Sequence, residues 1–98
     1  MEHNYSIATM SVIDGPANGI GNRLLALFDL EVAGLRISNC LLVQNADGLA
    51  LAKGPTGKNH KGNLIRAQFI SPEVVRAVTR RAASAYTALT GRDLEDEC

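Results

Sequence analysis

Between Arg23 and Val32 the apolar residues Leu24, Ala26, Phe28, Leu30 and Val32 recur at every second position, with Asp29 and Glu31 on the alternate phase. That period belongs to a strand with one face buried and one face wet, and it argues against a helix over the same stretch. Ala33-Gly34 is a tight reversal. Beyond it Leu35, Ile37, Leu41 and Val43 resume the alternation, interrupted at Asn39. The pair reads as an antiparallel hairpin with an apolar face that must be covered by something else in the chain.

The flanking segments supply the rest of a small α+β domain. Tyr5–Ile13 is short and β-rich, and the Gly-, Pro- and Asn-containing stretch Asp14–Asn22 reads as a long hairpin connection. Asn45-Ala46-Asp47-Gly48 is a second turn, leading to a short fourth strand, Leu49–Ala52. A loop, KGPTGKNHKGN, runs from Lys53 to Asn63, and Leu64–Ile70 is a fifth extended segment. Then comes one helix. Ser71 is an N-cap, Pro72 fits the first helical position, Glu73 suits the positive end of the dipole, and Gly91 ends the run. Val74, Val78, Ala82, Tyr86 and Leu89, with Val75 and Ala85 beside them, form its apolar stripe.

The expected architecture is an antiparallel four- to five-stranded meander closed by one C-terminal amphipathic helix. It forms one domain over residues 1–92, and the acidic tail 93–98 is expected to be disordered, because four acids in six residues have nothing to pack. The chain has no Trp and only four other aromatics, so the core is aliphatic and an aromatic platform for stacking bases is not to be expected. One helix over one sheet is a thin core with open sheet edges, and dimerisation through an edge or the helix is the simplest remedy.

Charge is segregated behind a formal net charge of zero. Residues 1–49 hold two basic side chains against five acids, whereas residues 50–92 hold eight basic side chains against Glu73 alone. A block of this kind is either the footprint of a polyanion or a well-solvated face. Lys53, Lys58 and Lys61 stand in a glycine-rich loop whose backbone permits close approach to an anion. Arg76 and Arg80 are one helical turn apart with Arg81 adjacent, a spacing suited to straddling phosphates, and Arg66 lies on the strand between loop and helix. The acidic tail just beyond this helix would then compete with a nucleic acid for the block.

Other chemistries find little support. Gly57-Lys58 is followed by Asn59 where a P-loop needs Ser or Thr, and Asp14–Asn22 lacks dinucleotide-binding spacing. His3, His60, Cys40 and Cys98 show no paired ligand spacing, so neither a metal nor another cofactor is expected. No Ser or Cys has a base and an orienting group beside it, so no catalytic residue is assigned and an enzyme is not expected. No apolar run approaches a membrane span, the N-terminus lacks signal-peptide character, and two cysteines so placed are a poor disulfide framework. A cytoplasmic protein is expected.

From Leu24 to Tyr86 the order of parts resembles the stage V sporulation protein G (SpoVG) family of small bacterial regulators. The resemblance is carried by the hairpin ending QNADGLALA, the basic loop KGPTGKNHKGN, the strand LIRAQFI and the Ser71-initiated helix reaching Ala85-Tyr86. It implies a SpoVG-like fold and a homodimeric, cytoplasmic DNA-binding protein, with RNA binding also a family property, acting in gene expression, septation or sporulation. Lys53, Lys58, Lys61 and Arg66, continued by Arg76, Arg80 and Arg81, would be its nucleic-acid-binding residues. The chain departs from the family at Thr56-Gly57, near the place of a Lys-Arg pair, and in a first strand without arginines. Those departures favour the alternative of a protein-interaction module using a sheet edge or the acidic tail. Neither reading calls for a small-molecule substrate.

Overall fold

The computed structural model describes residues 5–58 and 60–96, with the backbone alone at Lys58, residues 64–66 and residues 95–96. Four antiparallel strands form a meander: β1 (Ser6–Val12), β2 (Arg23–Val32), β3 (Leu35–Gln44) and β4 (Leu49–Lys53). A separate two-stranded ribbon follows, β5 (Thr56–Lys58) and β6 (Leu64–Arg66), then the helix α1 (Pro72–Thr90). The last described residues form β7 (Glu95–Asp96), which adds to the main sheet parallel to β4, giving the order β1-β2-β3-β4-β7. The fold is the α+β meander with one C-terminal helix that the alternation predicted.

The β2–β3 turn places both Ala33 (φ 51°) and Gly34 (φ 80°) in the left-handed region, the backbone that matches a two-residue turn to the twist of its strands. Within the strands the burial phase differs from the simple alternation. Opposite β3, the register passes from Leu24↔Val43 to Ala26↔Leu42, so Leu25 is an extra residue and both Leu25 and Ala26 are buried. In β3, Asn39 (φ 62°) takes up the second irregularity, with its N–H donating to Asp29 Oδ1 at 3.3 Å. An extra residue flips every side chain after it to the other face. Ile37 therefore packs against the core, but Cys40 and Leu42 follow it inward, while Leu41 and Val43 are left half-buried on the outer face. Leu35 is exposed, and Leu24 is half-buried outside the core.

The core lies between the sheet's inner face and α1. Leu25, Phe28, Leu30 and Leu42 supply its bulk, and Ala50 and Ala52 on β4 face a helix whose buried residues include Val78, Ala82, Ala83 and Tyr86. Small side chains on both surfaces permit close approach. At that approach the buried Thr79 hydroxyl accepts the Ala52 N–H at 2.9 Å, satisfying an edge donor that β7 does not reach.

Helix signals are read mostly as expected. Ser71 is extended (φ −88°, ψ 125°) and its carbonyl receives the Val75 N–H, yet its hydroxyl makes no capping bond. Gly91 adopts φ 77° and donates to Thr87 O. Leu89, expected in the apolar stripe, is 61% exposed because the sheet ends beneath Tyr86. The tail also departs from expectation. Leu94 packs against the core and carries Glu95–Asp96 into register with Leu49 and Ala50, pairing that needs backbone alone and no apolar side chains. The fifth extended segment is shorter than predicted and joins the ribbon rather than the main sheet.

Candidate nucleic-acid interface

The basic loop folds into the β5–β6 ribbon, with Thr56 opposite Arg66 and Lys58 opposite Leu64. Its base is locked where Gly54 is buried against residue 67: a Cβ at Gly54 would sit inside the van der Waals shell of the Ala67 carbonyl oxygen. The Ala67 N–H donates to Pro55 O at 3.0 Å and closes the same contact. At the other end of the ribbon His60 and Lys61 are exposed, with Gly62 at φ 83°. The ribbon is therefore an element separate from the main sheet, with His60 and Lys61 exposed at its turn.

Lys53, at the end of β4, is exposed and lines a groove of about 400 Å³ together with Leu51, Thr56, Gln68, Phe69 and Val75. Ribbon base, Lys53 and the first turns of α1 thus border one concavity. Arg76, the next residue after Val75, is exposed, as are Arg80 and Arg81. Arg80 lines a second hollow with Asp93 and Leu94, so the acidic tail begins beside the helix arginines. Of the seven residues singled out from sequence, Lys53, Lys61, Arg76, Arg80 and Arg81 are exposed. Lys58 and Arg66 are placed on the ribbon by their backbone, and their side chains lie outside the described residues.

Two features escaped the sequence. Arg23, in the acidic half of the chain, lines a hollow of about 260 Å³ with Lys53, because β2, β3 and β4 pair side by side. No sequence signal links residues that far apart. The second is a polar clasp. The Tyr86 hydroxyl donates to Asp14 Oδ1 at 2.5 Å, and the Arg92 guanidinium donates to Asp14 Oδ2 while lying 5.5 Å from the centre of the Tyr86 ring. The Tyr86 hydroxyl, aided by Arg92, holds the Asp14 carboxyl below its ordinary value of 3.8. Burial, reinforced by Asp14, raises Tyr86 above 10.0. Arg92 is thereby paired within the fold, and the basic surface of α1 is Arg76, Arg80 and Arg81. The signal for the clasp was present only as a tyrosine hydroxyl in an apolar stripe, which when buried generally requires a partner.

Cys40 donates its thiol to Ile37 O at 3.6 Å, and burial, with Asp29 nearby, pushes its pKa up to about 11. A thiol held protonated is neither a nucleophile nor a ready ligand. Among the described residues no three His, Cys, Asp or Glu side chains gather as a metal site, and no helix is long and apolar enough to cross a membrane. Comparison with protein-family models, curated proteins and solved structures finds no match to this chain.

Proposed function

We propose that this chain is a cytoplasmic, SpoVG-like, homodimeric nucleic-acid-binding protein that regulates gene expression or cell division and performs no catalysis. The observation that carries the reading is the ribbon: Lys58, Lys61 and Arg66 are carried on a two-stranded element separate from the main sheet, in a chain segment that also supplies the exposed helix arginines. A two-stranded ribbon has the width to enter a DNA major groove. Lys53, Lys58, Lys61 and Arg66 serve as phosphate contacts, and lysines, being mobile point charges, contribute without regard to sequence. Arg76, Arg80 and Arg81 extend the track along α1.

Binding isotherms at several salt concentrations, on duplex DNA and on RNA, test the reading. Each lost phosphate contact flattens the slope of log affinity against log salt by about 0.9 for duplex DNA. The Lys58→Ala/Lys61→Ala pair is expected to lower that slope by just under two and to weaken all duplexes alike. An unchanged slope removes the ribbon from the interface. The alternative, a protein-interaction module, is favoured by one observation: Leu24, Val43 and Leu51 lie in a cross-strand row, half-buried, on the sheet face away from α1. That reading gains if no affinity for nucleic acid appears even at low salt.

A further inference from the structure

The groove at the foot of the ribbon combines a nearly apolar lining with one isolated charge. One of its walls belongs to the main sheet, where Leu41 and Lys53 are cross-strand partners and Leu51 lies two residues before Lys53 on the same face. The other is the stretch from residue 67 to residue 70, which leads from the ribbon into α1, together with Val75 of the helix. Small residues keep the groove open where these walls meet. Gly54 lies against the Ala67 carbonyl there, and neither residue carries more than a methyl group.

Its volume of about 400 Å³ falls within the roughly 300–1,000 Å³ of small-molecule pockets and well above the ~150 Å³ apolar cavity that takes up benzene. Phe69 packs against the core and also lines the groove, so part of the wall is held in place before any ligand arrives. Ile70, also in the lining, is 89% exposed, more than any other large apolar side chain among the described residues. Lys53 is the one charged residue of the lining, and among the described residues it makes no ion pair. Thr56 and Gln68 add neutral groups able to donate a hydrogen bond. Glu73, the single acid of residues 50–92, does not line the groove.

We propose that this groove binds a soluble monocarboxylate with a hydrocarbon body of about eight carbons, the carboxylate on Lys53 and the tail against Phe69 and Ile70. The site goes beyond the nucleic-acid reading and does not rest on it. One ammonium group among apolar walls matches one carboxylate. A polyphosphate needs several cations, and a ligand cation is repelled by Lys53. The two halves of the ligand contribute separately. A fully buried methylene strengthens binding by about fourfold, and in a groove open on one side by about twofold. An exposed lysine–carboxylate pair adds up to about fivefold.

Titration of isotopically labelled protein with hexanoate, octanoate, octan-1-ol and octylammonium, read from amide chemical shifts, tests both halves. Shifts should concentrate at Leu51, Thr56, Gln68 and Val75. Octanoate should bind about fourfold tighter than hexanoate and about three- to fivefold tighter than octan-1-ol, with octylammonium weakest. Lys53→Met should bring octanoate down to the affinity of octan-1-ol, and Lys53→Glu should reverse the preference towards octylammonium. Ile70→Ser should shrink the gain from hexanoate to octanoate and leave the preference for the anion. Arg81→Gln, outside the groove, should change neither. Lys53 and Ile70 are exposed, so these variants remove nothing from the core. If Lys53→Met fails to fold, the wild-type preference and Ile70→Ser decide. The site is overturned by octanoate that gives no saturable shifts, by shifts that map to the hollow beside Ser84 and Leu94, or by octanoate and octylammonium binding alike. A folded Lys53→Met variant that keeps the preference for the anion overturns it equally.

Discussion

The β2–β3 hairpin and the β5–β6 ribbon share a local topology and differ in what holds them. Each strand of β2–β3 is ten residues long, and its inner face is the core. Each strand of the ribbon has three residues, and Thr56 and Gly57, in β5, are exposed. A short hairpin is marginal by itself. Here it is held at its base, where Gly54, Pro55 and Ala67 meet. One hairpin is stabilised along its length by burial, the other at one end by a close backbone contact. The second design leaves a charged ribbon whose outer residues can serve a partner without weakening the fold.

Four substitutions probe that difference, beginning with the largest effect. Gly54→Ala drives a methyl into the Ala67 carbonyl, and backbone on both sides leaves it little room to yield. A loss of about 3 kcal/mol or more, or local unfolding of the ribbon, is expected in thermal or denaturant melts. Gly57→Ala, with open space around its Cβ position, is the matched control. If Gly54→Ala is neutral, the ribbon is not anchored at its base.

Next comes the clasp joining the β1–β2 connection to α1. Tyr86→Phe removes a part-buried hydrogen bond to a carboxylate and should cost on the order of 1.5–3 kcal/mol near neutral pH. Its pH signature is more specific. The folded Asp14 carboxyl titrates below 3.8, so its contribution is present above that value and fades as pH falls through the lowered folded pKa. Tyr86 titrates above 10.0 when folded, so its contribution is present below that value and is lost as pH rises through the raised pKa. Tyr86→Phe should flatten both limbs of the stability curve, and limbs unchanged in the variant would show that the clasp is not what they report.

A smaller effect, of opposite sign, is expected in the β2–β3 turn. Ala33 holds φ 51°, a conformation that costs a residue with a Cβ about 1–2 kcal/mol, and Asn tolerates it better. Ala33→Asn should raise stability by roughly 0.5–1 kcal/mol, read from the denaturation midpoint. Smallest of all is the effect of Lys58→Ala/Lys61→Ala on the fold. Surface changes of this kind usually lie within about 0.5 kcal/mol, so the variant should melt like the wild type while its salt dependence of binding changes. A large stability loss there would mean the ribbon is part of the fold's support.

Much of the fold was legible because its signals are local. Arg23–Val32 and Leu35–Gln44 are strands with the predicted bounds, the reversal at Ala33-Gly34 is where it was read, and the helix starts at Pro72 and ends at Gly91. Less legible was the phase within the strands. Leu25 and Asn39 each insert a residue: the first leaves no mark in a run of apolar residues, and the second shows only as the interruption of the alternation at Asn39, which does not say which face is buried after it. The ribbon was hidden for a related reason. Strands of three residues are too short to carry a periodicity, and glycines and lysines resemble loop composition. In the candidate interface, the basic residues could be picked out by type, but not the ribbon that carries them, nor Arg23 beside Lys53.

Periodicity, turn chemistry and helix caps act over a few residues, so the order of the meander strands, the helix and the position of the basic block were determined by the sequence itself. Register, edge pairing and polar contacts depend on groups far apart in the chain. Asp14 and Arg92 are brought together only after sheet and helix have packed. The same is true of Thr79 at the Ala52 N–H, of β7 beside β4 and of Gly54 under Ala67. Each is a contact of a few ångströms between segments whose relative placement comes from burying the common core. The tertiary structure therefore decided which edge β7 joins, which arginine is paired within the fold and which basic residues stand clear of it.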